Sequence, residues 1–222
     1  MISGENEVIF DYVHWLERLM LPSNPHVVER LRLLAQELRA LNIQINLVSR
    51  KDIHLLEVHH ILHAMLGAHY LKWSAGAQVL DVGTGGGLPG LVLAILFPDC
   101  SFTLLDSVRK KILAVEQVAA KLELTHVRCI WARVEQHSAQ YDYITGRAVA
   151  ALPEFWGWVS GHLDARSERE PAPGVWYCKG GELSKELAAL PPGVRGQAFD
   201  LGSLAPEIPH YETKSLLYLT AQ

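Results

Sequence analysis

The stretch VLDVGTGGGLPGLVLAILFPDCSFTLLD, Val79 to Asp106, decides the fold. Gln78-Val79-Leu80-Asp81-Val82 is a short apolar strand that runs into a glycine-rich turn, Gly83 to Gly90, and Pro89 to Phe97 continues as an apolar helix. Ser101 to Leu105 is a second strand, closed by Asp106. Glycines at 83, 85 and 87 remove side chains where the backbone must bend sharply and lie against a ligand. Pro89 falls near the first helical position, where its missing N–H costs little. A helix N-terminus with free N–H groups therefore stands over the mouth of the sheet. In open α/β sheets ligands bind there, beyond the carboxyl ends of the strands.

Three cofactor classes compete for such a turn. A phosphate-binding P-loop needs Lys followed by Ser or Thr after the glycines, and Leu91-Val92 follow Gly90, so that class fails. The dinucleotide pattern GxGxxG, begun at Gly83, meets Leu88 where Gly or Ala is required; only a register begun at Gly85 fits, loosely. The compact GxGxG preceded by an acidic residue fits S-adenosylmethionine, which has no phosphate to seat and whose amino group suits Asp81. Asp106, roughly 20 residues on, can accept hydrogen bonds from both ribose hydroxyls, a feature that NAD sites share.

Outward from this stretch the chain changes character on either side. From Asp11 to about Trp73 it is helical: Leu31, Leu34, Leu38 and Leu41 form one apolar stripe in a helix over Val27 to Ala40. A second helix is expected from Ile53 to Lys72, capped by Ser49 or Asp52. Downstream, strands at 127–131, 141–145 and 175–178 alternate with helices at 108–122, 152–163 and 182–190, and a last strand pair, 194–199 and 215–220, has no helix between. The fold class implied is α/β: a Rossmann-like, mostly parallel sheet with an antiparallel C-terminal edge, helices on both faces and an N-terminal helical segment. The boundary falls at the change of pattern, giving a helical segment over 1–75 and a cofactor domain over 76–222.

Composition sets limits on function. The chain has 222 residues, 49% hydrophobic and 20% charged, with a net charge of −4, so any nucleic-acid partner must be met by basic residues gathered on one face. No run approaches the ~18 apolar residues of a membrane span. The opening residues carry Glu5 and Glu7 where a secretory signal would be positive. Cys100, Cys129 and Cys178 form neither a disulfide framework nor a CxxC pair and suit reduced, packed thiols. A cytoplasmic monomer with no membrane partner is expected.

The block Val79 to Gly90 resembles the DVGTGxGLPG motif of the bacterial small-subunit ribosomal RNA guanine-N7 methyltransferases, the RsmG or GidB family, and Leu88-Pro89-Gly90 makes it more specific than a general methyltransferase loop. The resemblance continues through Pro98 to Lys111 and resumes at Arg133-Val134-Glu135, Gly146-Arg147-Ala148 and Lys179-Gly180. Upstream, Asn46-Leu47-Val48-Ser49 and His60-Ile61-Leu62 fall where the family carries NLTS and HILDS. It implies a class I methyltransferase that moves a methyl group from S-adenosylmethionine to N7 of a guanine in 16S rRNA, as free RNA or in a pre-assembled subunit. By it, Gly83, Gly85, Leu88 and Asp106 contact the cofactor, Val134 and Glu135 lie near the adenine, and Arg147 stands at the mouth of the site. Two positions depart from the pattern: His63-Ala64 replace Asp-Ser, and Gly146 replaces the Ser of SRA.

Guanine N7 has a lone pair and no proton to lose, so no general base is needed and none is nominated. Arg147 and Lys179 each follow an expected strand and suit contact with RNA, Arg147 through its planar fork. Arg109 and Lys110, with Lys111, open a helix near the cofactor and suit an RNA track. His59 and His63 share a helical face, but with no Glu at the HExxH position and no nearby Cys, no metal is expected. Phe155, Trp156 and Trp158 are better read as core packing than as a base-stacking platform. The alternative function is a methyltransferase of a small molecule or protein on the same cofactor domain.

Overall fold

The structure is a computed structural model that describes residues 10–221; the acidic opening at Glu5 and Glu7 lies outside them. Helix α1, Tyr12–Arg18, is capped by the Asp11 carboxylate, which accepts from His14 N. Helix α2, Pro25–Asn42, begins with Asn24 accepting from Val27 N and buries Leu31, Leu34 and Leu38. The helix expected over 53–72 is a succession of three types: a 3₁₀ turn at Ile53–Leu55, a π-helical turn at Glu57–Ile61, and helix α3, Leu62–Ala68. Asp52 stands at its start but does not cap it, because its carboxylate is engaged by two histidines further along.

The core then runs β1 (Gln78–Val82), α4 (Gly90–Leu96), β2 (Ser101–Asp106), α5 (Arg109–Lys121), β3 (Val127–Trp131), β4 (Tyr143–Arg147), α6 (Leu152–Val159), β5 (Gly174–Gly180), α7 (Ser184–Ala188), β6 (Val194–Asp200) and β7 (Lys214–Ala221). The strands form one sheet in the order β3-β2-β1-β4-β5-β7-β6. All neighbours are parallel except β7, which inserts antiparallel between β5 and β6. Strand β4 starts two residues later than the pattern suggested. Tyr141 makes only an isolated bridge to Leu163, so Arg147 is the last residue of the strand, level with Cys178.

The sheet has two apolar faces, as its period-2 side chains require. Val79, Tyr143 and Trp176 point into a core shared with α2, α3, α4 and α5. Their neighbours Leu80, Ile144 and Tyr177 point into a second core with Phe155 and Trp156 of α6. The N-terminal helices therefore pack on one face of the sheet. The strand order reverses between β1 and β4, which opens a crevice above their carboxyl ends.

Candidate active site

The glycine turn is fixed from below. Gly83 N and Thr84 N both donate to Leu105 O of β2. Gly83, Gly85 and Gly87 adopt φ of +66°, +58° and +84°, a region costing about 1–2 kcal/mol per residue for any side chain with a Cβ. A Cβ at Gly85 would meet only the Gly83 carbonyl oxygen, at an ordinary contact distance of 3.9 Å, and one at Gly87 would strike Leu91. Gly85 thus borders the larger hollow while Gly87 serves packing. From above, the buried Asn42 amide oxygen accepts from Leu47 N and Val48 N at 2.8 and 2.9 Å, which lays Leu47 against Gly86. The N-terminal segment is thereby a wall of the site.

Asp106 ties the turn to the second strand: Oδ2 accepts from Gly85 N at 2.9 Å and Oδ1 from Val108 N at 2.8 Å. Each oxygen keeps a lone pair for a further donor. Asp106 lines a hollow of about 340 Å³ with Lys111, Val134, Glu135, Val149 and Trp158. A larger hollow of about 660 Å³ lies on the other side of Gly83 and Val149, which line both. Its walls include Ser49, Asp52, His63, Gly85, Leu88 and Arg147. The two together form a bent trough across the ends of β1, β2 and β4, of a size suited to a nucleoside-containing ligand and a second reactant.

The larger hollow is built by side chains. Arg147, half-buried, has no hydrogen-bond or ion-pair partner among the described residues, and burial lowers its pKa. Lys179 also faces the hollow but is held by Glu186 at 2.8 Å. His60 is kept neutral, its pKa lowered to about 4 by burial and then by the Arg147 charge. His63 is lowered by the same causes in the same order. His59 engages Asp52 and stacks on His210, whereas His63 turns edge-on to Tyr211, so the pair expected on one helical face diverges. No group of three metal-capable side chains occurs among the described residues.

Several readings of the sequence change in detail. Asp81 lines neither hollow: it is fully buried, accepting from Thr84 Oγ1 at 2.6 Å, Thr145 Oγ1 at 2.9 Å and Gly90 N at 3.1 Å. Gly90 is required there because a Cβ would stand 2.7 Å from Asp81 Oδ2. Asp81 therefore shapes the turn, its carboxylate taken up by these three donors rather than exposed toward either hollow. Arg109 and Lys110 are exposed and line neither hollow, with Arg109 stacked over Trp131. Gly146 is interior, and a Cβ there would meet Phe155 at 2.6 Å, so that departure concerns packing. Phe155 and Trp156 are buried, whereas Trp158 lines the smaller hollow. The sequence reading missed Val149, Asp52, His210, Lys214 and Ala148, whose φ of +54° is strained for a residue with a Cβ. Only Ala148, beside Arg147, carried any signal.

The sheet order, the glycine turn and the carboxylate at the tip of β2 make this a class I S-adenosylmethionine-dependent methyltransferase. Among solved structures, TrmN from Thermus thermophilus matches with a TM-score of 0.54 at 19% identity, over 73% of this chain and 48% of that one. The ribosomal protein L11 methylase from Lactobacillus delbrueckii subsp. bulgaricus gives 0.53 at 16% identity, over 72% and 77%. At such identities these matches bear on the fold alone. Residues 27–188 match the family described as rRNA small subunit methyltransferase G. Proteins named Ribosomal RNA small subunit methyltransferase G are similar over most of the chain: 41% identity in Christiangramia forsetii, covering 80% of this chain and 82% of that protein, and 38% in Porphyromonas gingivalis, covering 88% and 89%. The chain belongs to the rRNA small subunit methyltransferase G family. It is an enzyme, and its family's reaction is methyl transfer from S-adenosylmethionine to a guanine N7 of 16S rRNA.

Proposed function

We propose that this chain performs that transfer in the trough described above, with the cofactor in both arms and the target guanine in the larger one. The observation that carries this reading is the continuity of the two hollows at Gly83 and Val149, with the Cβ direction of Gly85 clear of any side chain. Asp106 receives the ribose, Val134 and Glu135 border the adenine, and the methionine arm crosses Gly83, Gly85 and Leu88 toward Arg147. When bound, the cofactor would supply a sulfonium methyl group to which the guanine N7 lone pair can form a C–N bond as the C–S bond breaks, its electron pair remaining on sulfur.

The protein's own task is alignment and electrostatics. Arg147, with no hydrogen-bond or ion-pair partner among the described residues, offers a planar fork of donors to the cofactor carboxylate or to the RNA at the same mouth. His60 and His63, neutral through burial, add no positive charge beside a sulfonium or a base that becomes cationic. No side chain takes a proton, because N7 has none to give. Lys179, Arg109 and Lys110 provide phosphate contacts leading away from the trough.

We place the boundary between 75 and 76, with residues 10–75 as a helical wall on the methyltransferase domain that follows, because Leu47 and Val48 line the larger hollow. The protein is read as a monomer of the cytoplasm whose partner is small-subunit rRNA, free or in a pre-assembled particle, with the guanine unstacked in a loop or bulge. No helix among the described residues is long and apolar enough to cross a membrane. Labelled methyl donor incubated with unmodified small-subunit rRNA should place label on a guanine N7, and 7-deazaguanine at that position should abolish transfer. Label at any other atom overturns the reading.

A further inference from the structure

The wall of the larger hollow formed by residues 49–63 holds a carboxylate that the cofactor reading leaves unused. His59 Nδ1 and His60 Nε2 each lie 2.7 Å from one oxygen of Asp52, and against a carboxylate each nitrogen donates a hydrogen. His59 in turn lies flat on His210, with centroids 3.8 Å apart and planes at 10°. The carboxylate is thus held in place from two sides of the hollow. Its side chain remains 32% exposed, and each oxygen retains a lone pair after one hydrogen bond. Burial works to raise its pKa, but the hydrogen bonds from His59 and His60 outweigh that and hold it below the ordinary carboxylate value. Among the described residues Asp52 is the one acidic side chain lining the hollow, beside Arg147, Lys179 and Lys214. A buried or half-buried charge of that sign disfavours a polyanionic substrate unless the substrate brings donors to it.

On the reading that the target is guanine N7, we propose that Asp52 determines base specificity by accepting hydrogen bonds from guanine N1–H and N2–H₂. The two edges of the base are chemically opposite. N7 and O6 accept, whereas adenine carries a donor at position 6; on the far edge guanine donates from N1 and N2, where adenine N1 accepts. Arg147 can only donate and Asp52 can only accept, so a guanine between them is matched on both edges and an adenine is opposed on both. As N7 takes the methyl group the base becomes cationic and its N1–H and N2–H₂ become stronger donors. The bonds to Asp52 tighten in the transition state, which is where binding accelerates a reaction.

The test compares wild type with Asp52→Ala and Asp52→Asn on two small-subunit rRNAs. One carries guanine at the position the wild-type enzyme modifies; the other carries hypoxanthine there, which keeps N7, O6 and N1–H but lacks the 2-amino group. Wild type should lose roughly tenfold or more in kcat/KM on hypoxanthine, the scale of one hydrogen bond to a charged group. Asp52→Ala should lose at least that much on guanine and show no further preference between the RNAs, with S-adenosylmethionine affinity by calorimetry unchanged. Asp52→Asn, which keeps the side-chain shape, should show the same loss even if the Ala variant folds poorly. Variants that keep either the wild-type rate on guanine or the wild-type penalty on hypoxanthine overturn the proposal alone. Wild-type enzyme that leaves the guanine unmethylated at N7 overturns the underlying reading and this proposal with it.

Discussion

The two hollows that meet at Gly83 and Val149 are built by different means. The smaller one depends on backbone: the positive φ of Gly83, and a carboxylate anchored by Val108 N and by the N–H of Gly85, whose own Cα side borders the larger hollow. The larger one depends on side chains gathered from far apart in the chain: Leu47 and Asp52, His59 to His63, Arg147, His210 and Lys214. A site made of backbone tolerates almost no substitution but is written in one contiguous stretch. A site made of side chains can be retuned one residue at a time, and it exists only once the N-terminal segment and β7 have packed on the sheet.

That contrast can be broken most directly at Gly85. Gly85→Val should weaken S-adenosylmethionine binding by roughly 100-fold or more, about 2.7 kcal/mol, because its side chain enters the space above the turn at a φ of +58°. Near-normal affinity in calorimetry would remove the cofactor from that space. On the side-chain half, Arg147→Ala should lower kcat/KM with RNA by roughly 10- to 100-fold, the ~1.5–3 kcal/mol of a charged hydrogen bond. Its melting temperature should not fall, since no partner among the described residues is left orphaned; an unchanged rate makes Arg147 a bystander.

Asp81 joins the halves, holding Thr84 of the turn and Thr145 of the strand that ends in Arg147. Asp81→Asn should cost about 1–3 kcal/mol in denaturant unfolding, because an amide cannot accept all three donors. Burial, opposed by hydrogen bonds from Thr84, Thr145 and Gly90, raises the Asp81 pKa from 3.8 to about 6. A raised folded-state pKa means that the group's contribution is full below pH 3.8 and is lost as pH rises through about 6. The stability gap between wild type and the Asn variant should therefore shrink across that window, and a gap that widens would contradict the assignment. The smallest effect is expected outside both hollows: Lys110→Ala should weaken RNA binding only a few-fold and reduce the salt slope by about 1. A larger loss in filter binding would move the RNA track toward α5.

The same contrast explains what was legible in the sequence. The turn, Asp106 and the strand–helix alternation were readable because glycine spacing and apolar period act over a few residues. The sheet's antiparallel edge was readable from two late strands with no helix between. Asp81 was assigned to the cofactor because a strand-end carboxylate looks alike whether it faces ligand or packs under Gly90; only the close approach of α4 separates the two. The helix over 53–72 was expected to be uniform because its apolar spacing is regular. Its π-helical turn brings His59 and His60 onto Asp52 instead, a geometry no local pattern encodes. His210 and Lys214 reach the site through the insertion of β7 beside β5, a long-range event with no local mark.

The most direct measurement is a crystal structure of the protein with S-adenosylhomocysteine. The expected result is adenosine in the smaller hollow with its ribose on Asp106, and the homocysteine arm crossing Gly85 into the larger hollow beside Arg147. An adenosine lodged anywhere else, or a trough closed by protein with the ligand on an outer surface, would contradict the division of the site at Gly83 and Val149.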